Sequence, residues 1–230
     1  MAKAPRIGAA KTRLVPPLSA AEAAGLSACF IRDAAENIAA AAQQAAIDGY
    51  IAFSPPGAEA EFAPLLTQDT RLLPSRRPGL GASLFDAAED LLAAGYGAAC
   101  LVNSDSPTLP TSILIDAARA LSSPGDQVVL GPAEDGGYYL IGLKQAYARL
   151  FEDIAWSTSS VFAQTAERAQ EMGRDPVVLP MWYDVDDVAA LHRLHRELFG
   201  QGDKHDCTGA HRARHSAAFR RDLFRKGTLG

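Results

Sequence analysis

The sequence predicts an α/β fold built on a mostly parallel sheet, and three features carry that expectation. Short apolar runs of strand length, at residues 50–53, 98–102 and 127–130, alternate with longer stretches of helical period. The run at 98–102 has no polar alternation, which suits a strand covered on both faces. The runs end in polar or proline- and glycine-rich turns, where open α/β sheets place their ligands.

Taken in order, the chain opens on a loop-like segment holding Lys3, Arg6, Lys11 and Arg13 among small residues. Four cations and a glycine suit a phosphate cradle, although a terminal segment of this kind is more often simply solvated and disordered, and no apolar strand precedes them. Ser19-Ala-Ala-Glu22 is a capping box for an alanine-rich helix to about Ala46, with Leu26, Phe30, Ala34 and Ile38 on one buried stripe. A strand at 50–53 ends in Ser54-Pro55-Pro56-Gly57, followed by a brief helix at 62–66 and a weak strand at 71–73. Arg76-Arg77-Pro78-Gly79-Leu80-Gly81 then leads into an amphipathic helix stopped by Gly95. Two glycines beside two arginines at a helix N-terminus suit an anion, although such a pair also serves simply as a turn.

The strand at 98–102 delivers Asn103, Ser104, Asp105 and Ser106 at its carboxyl end. Pro107 and Pro110 keep the chain out of helix until Thr111 caps the next one, at 113–121. The strand at 127–130 runs into Gly131-Pro-Ala-Glu-Asp-Gly-Gly-Tyr-Tyr-Leu-Ile-Gly142. Gly136 and Gly137 permit a tight hairpin, but a hairpin needs neither Glu134 and Asp135 nor the tyrosines, so a ligand loop is the favoured reading. Trp156-Ser157-Thr158-Ser159 precedes a helix to about Met172, capped by Ser157 or Thr158. A last strand at 177–182 delivers Tyr183-Asp184-Val185-Asp186-Asp187 before a helix to Phe199. Asp-x-Asp after a strand also resembles the haloacid-dehalogenase phosphatase motif, but that motif opens its domain, and here only a helix and tail follow.

Composition narrows the chemistry. With 230 residues, 48% of them hydrophobic, the chain suits one domain with a sizeable core. Three cysteines fit a reducing, cytoplasmic setting better than a disulfide framework. No apolar run reaches membrane-spanning length, and a net charge of −5 does not point to nucleic acid. From Gly200 onward, seven Lys plus Arg stand against three Asp, so residues 200–230 read as a basic tail, helical from 208 to 224, on a domain at 1–199. All five histidines lie in the last forty residues, which removes Ser-His-Asp, Cys-His and His-rich zinc chemistry from the domain unless the tail folds back. His205, Cys207, His211 and His215 match no common zinc spacing, and no structural metal is expected there.

Lys11-Thr-Arg-Leu14, Ser104-Asp-Ser-Pro-Thr-Leu-Pro110, the 131–142 segment, Trp156-Ser-Thr158 and Tyr183-Asp-Val-Asp186 together resemble the DUF2064 family of bacterial glycosyltransferase-like proteins, over about residues 1–195. The resemblance implies the GT-A fold of nucleotide-diphospho-sugar transferases, a Rossmann-like α/β/α sandwich, with 2-phospho-lactate and molybdenum cofactor guanylyltransferases as relatives. It implies that Asp105 and Asp186 hold Mg²⁺ or Mn²⁺ on a nucleotide diphosphate, with Asp184 as the alternative to Asp186. It puts Lys11 and Arg13 at the phosphates, and the reading of the residues themselves adds Lys3, Gly81 and Ser104 to that set. Glu134 and Asp135 complete a catalytic set with Asp105, and Gly136, Gly137, Tyr138 and Trp156 face the acceptor or sugar.

The activity so implied is metal-dependent transfer of a sugar from a nucleotide sugar to a small-molecule acceptor. A cation clamped by two carboxylates neutralises a leaving diphosphate, or aligns an α-phosphate in the alternative, nucleotidyl transfer from an NTP. Arg13 is followed by Leu14-Val15-Pro16-Pro17-Leu18, without the glycines and further lysine of a triphosphate site, which favours glycosyl transfer. A third reading, a nucleotide-sugar-binding protein without turnover, draws on the lack of an apolar strand at the start. Asp105 and Asp186 are expected within about 6 Å of each other, close enough for one cation. They should repel while the site is empty, so that Asp105→Asn leaves stability equal or raised.

Overall fold

The computed structural model of the protein describes residues 1–200 and 209–225. Strands and helices alternate along them: β1 (Ala2–Lys3), α1 (Ala20–Ala42), β2 (Gly49–Ser54), α2 (Glu59–Phe62), β3 (Thr70–Pro74), α3 (Leu80–Ala93), β4 (Ala99–Val102), α4 (Thr111–Ser122), β5 (Val128–Pro132), β6 (Tyr138–Leu143), α5 (Val161–Glu171), β7 (Val177–Val178), α6 (Val188–Phe199) and α7 (Arg214–Arg225). β1, β2 and β3 form one parallel sheet. A second has the order β4-β6-β5-β7, and only β6 runs against its neighbours. The Met1 amine donates to the Val102 carbonyl at 2.8 Å, so β1 lies between β2 and β4 and the two sheets read as one mostly parallel row.

Side chains alternate across that row. Val128 and Leu130 pack with Leu84, Ala87 and Ala169 from α3 and α5, whereas Val129 and Leu140 pack with Ala41, Ile113 and Leu114 from α1 and α4. The result is a three-layer α/β/α sandwich of Rossmann-like, GT-A type. All five residues of β5 are buried, which is why the central strands read as unbroken apolar runs.

The capping box of α1 forms as the sequence predicts, with Glu22 N on Ser19 Oγ at 3.3 Å and Ser19 N on the Glu22 carboxylate at 2.9 Å. The buried face of α1 carries Leu26 and Phe30, but also the polar Asp33 and Asn37. Asn37 donates to Leu109 O at 2.7 Å. Asp33 accepts the amides of His215 and Ser216 at 2.9 Å each, which caps α7 from another helix. Arg214 and His215 pair with Glu36 beside it. The helix expected in the tail is therefore docked on α1, while His205 and Cys207 lie outside the described residues. Among the described residues, no helix is long and apolar enough to cross a membrane.

Several local expectations are corrected. Lys3 belongs to a short strand, not to a loop. Thr111 does not cap α4; Pro110 holds that position, and the Thr111 hydroxyl turns to Asn37 Oδ1 at 2.6 Å. Neither Ser157 nor Thr158 caps α5, because the helix starts at Val161 and the Thr158 hydroxyl donates to Ala155 O at 2.7 Å. The strand expected at 177–182 is only Val177–Val178, since Pro180 has no N–H for the ladder, and a single bridge from Trp182 to Ala133 carries the chain on.

Candidate active site

Three segments meet beyond the carboxyl ends of β1 and β4. Val185 N donates to Asp105 O at 2.8 Å, which lays the 183–186 segment against the turn after β4. Leu14 and Leu18 are buried with Leu26, Phe30, Tyr183 and Val185, so an N-terminal loop that composition alone would leave in solvent is anchored by its apolar residues. Lys11, just ahead of that anchor, has a left-handed backbone with φ of 49°. For a residue other than glycine this costs about 1 kcal/mol, and it turns the side chain inward.

Lys11 Nζ lies 2.8 Å from Asp105 Oδ1 and 2.6 Å from Asp186 Oδ1, and it donates to Val185 O at 2.9 Å. The two carboxylate oxygens are therefore at most 5.4 Å apart. Only 6% of the Lys11 side chain is exposed. Burial pulls its ammonium down, but the charges and hydrogen bonds of Asp105 and Asp186 outweigh that and hold it above its usual value. Asp184 shows the opposite balance: burial, then the charges of Asp186, Asp135 and Asp105, push its carboxyl up to about 6. The electrostatic expectation for Asp105 and Asp186 is thereby corrected, because an internal cation already stands between them.

The remaining predicted residues divide into those near this cluster and those occupied elsewhere. Ser104 Oγ is 3.5 Å from Asp105 Oδ1, at the limit of a hydrogen bond. Lys3 and Arg13 are exposed. The 131–142 segment is the tight hairpin its glycines permit, with β5 and β6 antiparallel. Both of its acids are employed in it: Asp135 Oδ1 accepts from Gly137 N at 2.8 Å, and Glu134 accepts from Arg193 at 2.7 and 2.8 Å. Asp135 still reaches the cluster through its charge on Asp184. Gly136, at φ of 87°, packs the hairpin tip on the backbone of Ser159, where an added Cβ would stand 2.2 Å from the carbonyl oxygen.

Two expectations fail on packing. Gly81 is buried on α3, and an added Cβ would sit 2.6 Å from the Trp156 ring. The glycine and the tryptophan are therefore partners in close packing, not an anion contact and an acceptor contact. The adjacent Arg76 and Arg77 are neutralised by Asp86, Glu89 and Asp90. Tyr138 belongs to β6 and packs against the core instead of facing the hairpin loop. Sequence reasoning missed Arg193, whose guanidinium lies 3.9 Å from the Tyr183 ring centre, and Glu197, which bonds the Tyr183 hydroxyl. The one available signal was their spacing of four on an amphipathic helix.

Beyond the strand ends of the sandwich, Asp105 and Asp186 thus flank one buried cation. The crystal structure of a protein from Desulfovibrio desulfuricans G20, provisionally described as a nucleotide-diphospho-sugar transferase, is similar to this chain with a TM-score of 0.79 and 27% identity, covering 97% of this chain and 92% of that one. The chain belongs to the DUF2064 family, described as uncharacterized proteins conserved in bacteria, whose model matches residues 37–158. That span holds Asp105 and the hairpin, while Lys11, Arg13, Asp184 and Asp186 lie beyond it. Among curated proteins none matches the chain.

Proposed function

We propose that this chain is a metal-dependent glycosyltransferase that moves a sugar from a nucleotide-diphospho-sugar to a small-molecule acceptor. The observation that carries the reading is the meeting of Asp105 and Asp186 on either side of Lys11, which marks a cation position between them, with Asp184 near enough for their charges to raise its carboxyl. The donor set is oxygen only, as Mg²⁺ or Mn²⁺ requires. Asp105 and Asp186 would hold the ion, with Asp184 beside them. Once bound, the ion supplies neutralisation of the diphosphate that leaves with the nucleotide.

The chain's own residues do the rest. Arg13, exposed two residues beyond Lys11, is free to reach phosphate oxygens, and Lys11 offers a second cation when it leaves its carboxylates. Leu14 and Leu18 seat the loop in the core, in place of the open glycine-rich turn that would wrap a triphosphate. The hairpin carrying Glu134 and Asp135 acts on the acidic cluster through the charge of Asp135 on Asp184, and it would face the acceptor or sugar.

The test is a thermal-shift panel of UDP-, GDP-, CMP- and dTDP-linked sugars and the four NTPs, each with and without Mn²⁺. A Mn²⁺-dependent shift with a nucleotide sugar is expected, reduced about ten- to a hundredfold in affinity by Arg13→Ala, the loss of one charge-assisted contact. A shift with an NTP alone would move the reading to nucleotidyl transfer. No shift with any of them would overturn it.

A further inference from the structure

Tyr183 stands immediately ahead of Asp184, Val185 and Asp186, and Thr108 three residues beyond Asp105. Both are buried, and their hydroxyls meet on one atom of a third element. The Tyr183 hydroxyl and Thr108 Oγ1 each donate to Glu197 Oε2, in the last turn of α6, the second of them at 3.2 Å. A hydroxyl has a single proton to give, and spent on a carboxylate it makes a stronger bond than on a neutral acceptor. The two hydroxyl oxygens also lie 3.2 Å apart. Among the described residues nothing bonds Glu197 Oε1, so the whole junction runs through Oε2.

The segments joined there are the two that carry the acids. A backbone bond, Val185 N on Asp105 O at 2.8 Å, also joins them, but a carbonyl accepts over a broad range of directions, so one such bond is a pivot. The junction at Glu197 is a second point of attachment, and two points fix an orientation that one leaves open. Each segment is held again from outside. Asp187 accepts from Ala190 N at 2.8 Å and caps the start of α6, while the Arg193 guanidinium lies 3.9 Å from the Tyr183 ring centre. Residues 183–187 are thus strapped to α6 at both ends, with Asp184 and Asp186 between the straps. On the other side, His211 N donates to Thr108 O at 3.1 Å, so the lead into α7 fixes the backbone of Thr108.

We propose that Glu197 is a positioning residue for the acidic site, holding Asp105 and Asp186, through Thr108 and Tyr183, at the spacing that Lys11 bridges and that one divalent cation would need. The inference rests on the reading of this cluster as a cation site, and it adds a consequence. When an incoming ion displaces Lys11 from its two carboxylates, the ammonium no longer sets their distance, and the junction at Glu197 does. Its reach is indirect, through two hydroxyls on the segments that carry the acids.

The test compares Tyr183→Phe, which removes one hydroxyl and leaves the ring, with Glu197→Leu and Glu197→Gln. Val128→Ala, a core truncation at the amino end of β5, is the control for general loss of stability. The first readout is solvent exchange of the Lys11 ammonium protons, followed by NMR, because that ammonium is held by Asp105, Asp186 and Val185 O. Tyr183→Phe and Glu197→Leu should speed this exchange at least about tenfold, the loss of one charge-assisted bond. Glu197→Gln, whose amide oxygen accepts the same hydroxyls, should stay within about threefold of wild type, and Val128→Ala should leave the rate unchanged. The second readout is Mn²⁺ affinity by electron paramagnetic resonance in a Lys11→Met background, where no ammonium competes; adding Tyr183→Phe should weaken it at least about tenfold. Exchange at the wild-type rate in Tyr183→Phe, or exchange sped equally in Val128→Ala, would overturn the proposal. Faster exchange in Tyr183→Phe alone, with no Mn²⁺ bound by any of the proteins, would support Glu197 as the positioning residue and overturn the cation-site reading instead.

Discussion

Lys11 and Asp105 form an ion pair of 2.8 Å in which the cation is 6% exposed and the acid 34% exposed. The pair changes what the acid does for the fold. Without Lys11, Asp105 and Asp186 would repel across at most 5.4 Å; with it, each is the partner of a buried charge. Asp105→Asn therefore lowers stability, by about 1 to 2 kcal/mol given the partial solvent screening of the acid, instead of leaving it equal or raised. Paired urea curves check this, and a mutant as stable as wild type would return the site to simple repulsion. Mn²⁺-dependent nucleotide binding should be lost in the same mutant.

Lys11 and a divalent cation claim the same oxygens. Removing the ammonium in Lys11→Met leaves Asp105 and Asp186 facing each other without a counter-charge, so the variant should unfold at lower urea in EDTA and recover on addition of Mn²⁺. Its Mn²⁺ affinity, read by electron paramagnetic resonance of the free ion, should exceed that of wild type about tenfold, the equivalent of about 1.4 kcal/mol of removed competition. Affinity unchanged or lower would mean that the ion binds elsewhere.

The hairpin tip offers a purely steric test. Gly136 combines a φ of 87° with a backbone neighbour, Ser159 O, that an added Cβ would meet at 2.2 Å. Alanine there pays for the left-handed backbone and also forces the tip from the loop before α5, so a loss of about 2 to 4 kcal/mol is expected in chemical denaturation. Gly137→Ala, whose Cβ would meet Asp135 Oδ1 at 3.1 Å, the end of a side chain, should cost less.

How far the sequence was readable follows the range of the interactions. The capping box of α1 and the apolar runs of β2, β4 and β5 are local, and both appear where the sequence puts them. Asp105 at the end of β4 was legible for the same reason, since an apolar strand followed by Asn-Ser-Asp is a local pattern. The partnership of Lys11 with Asp186 spans 175 residues and rests on the burial of Leu14 and Leu18, which nothing near Lys11 announces. Gly81 and Gly136 look alike in sequence and differ only in what lies over them, an indole in one case and a backbone carbonyl in the other. Asp33 is the same lesson in a helix: its place on the apolar face of α1 makes sense only once α7 is docked there.

Asp184 supplies the pH dependence. Its carboxyl is pushed up to about 6 by burial first and then by Asp186, Asp135 and Asp105, against an ordinary value near 3.8. For an acid whose folded value is raised, the unfolded chain gives up its proton first as pH rises. The fold thus loses stability between about pH 4 and pH 6 and carries the full deficit at pH 7. The shift corresponds to about 3 kcal/mol, which partial solvation reduces to about 1 to 2. Asp184→Asn, which cannot titrate, should be more stable than wild type by that amount at pH 7 and no more stable at pH 4. Urea midpoints across pH 4 to 8 measure the difference directly. A constant offset between the two proteins would mean that the carboxyl is not strained by its neighbours, and the case for an acidic cation cluster would lose one of its three members. Mn²⁺ with a nucleotide sugar should close the gap at pH 7, because a bound ion removes the repulsion that the asparagine removes by substitution.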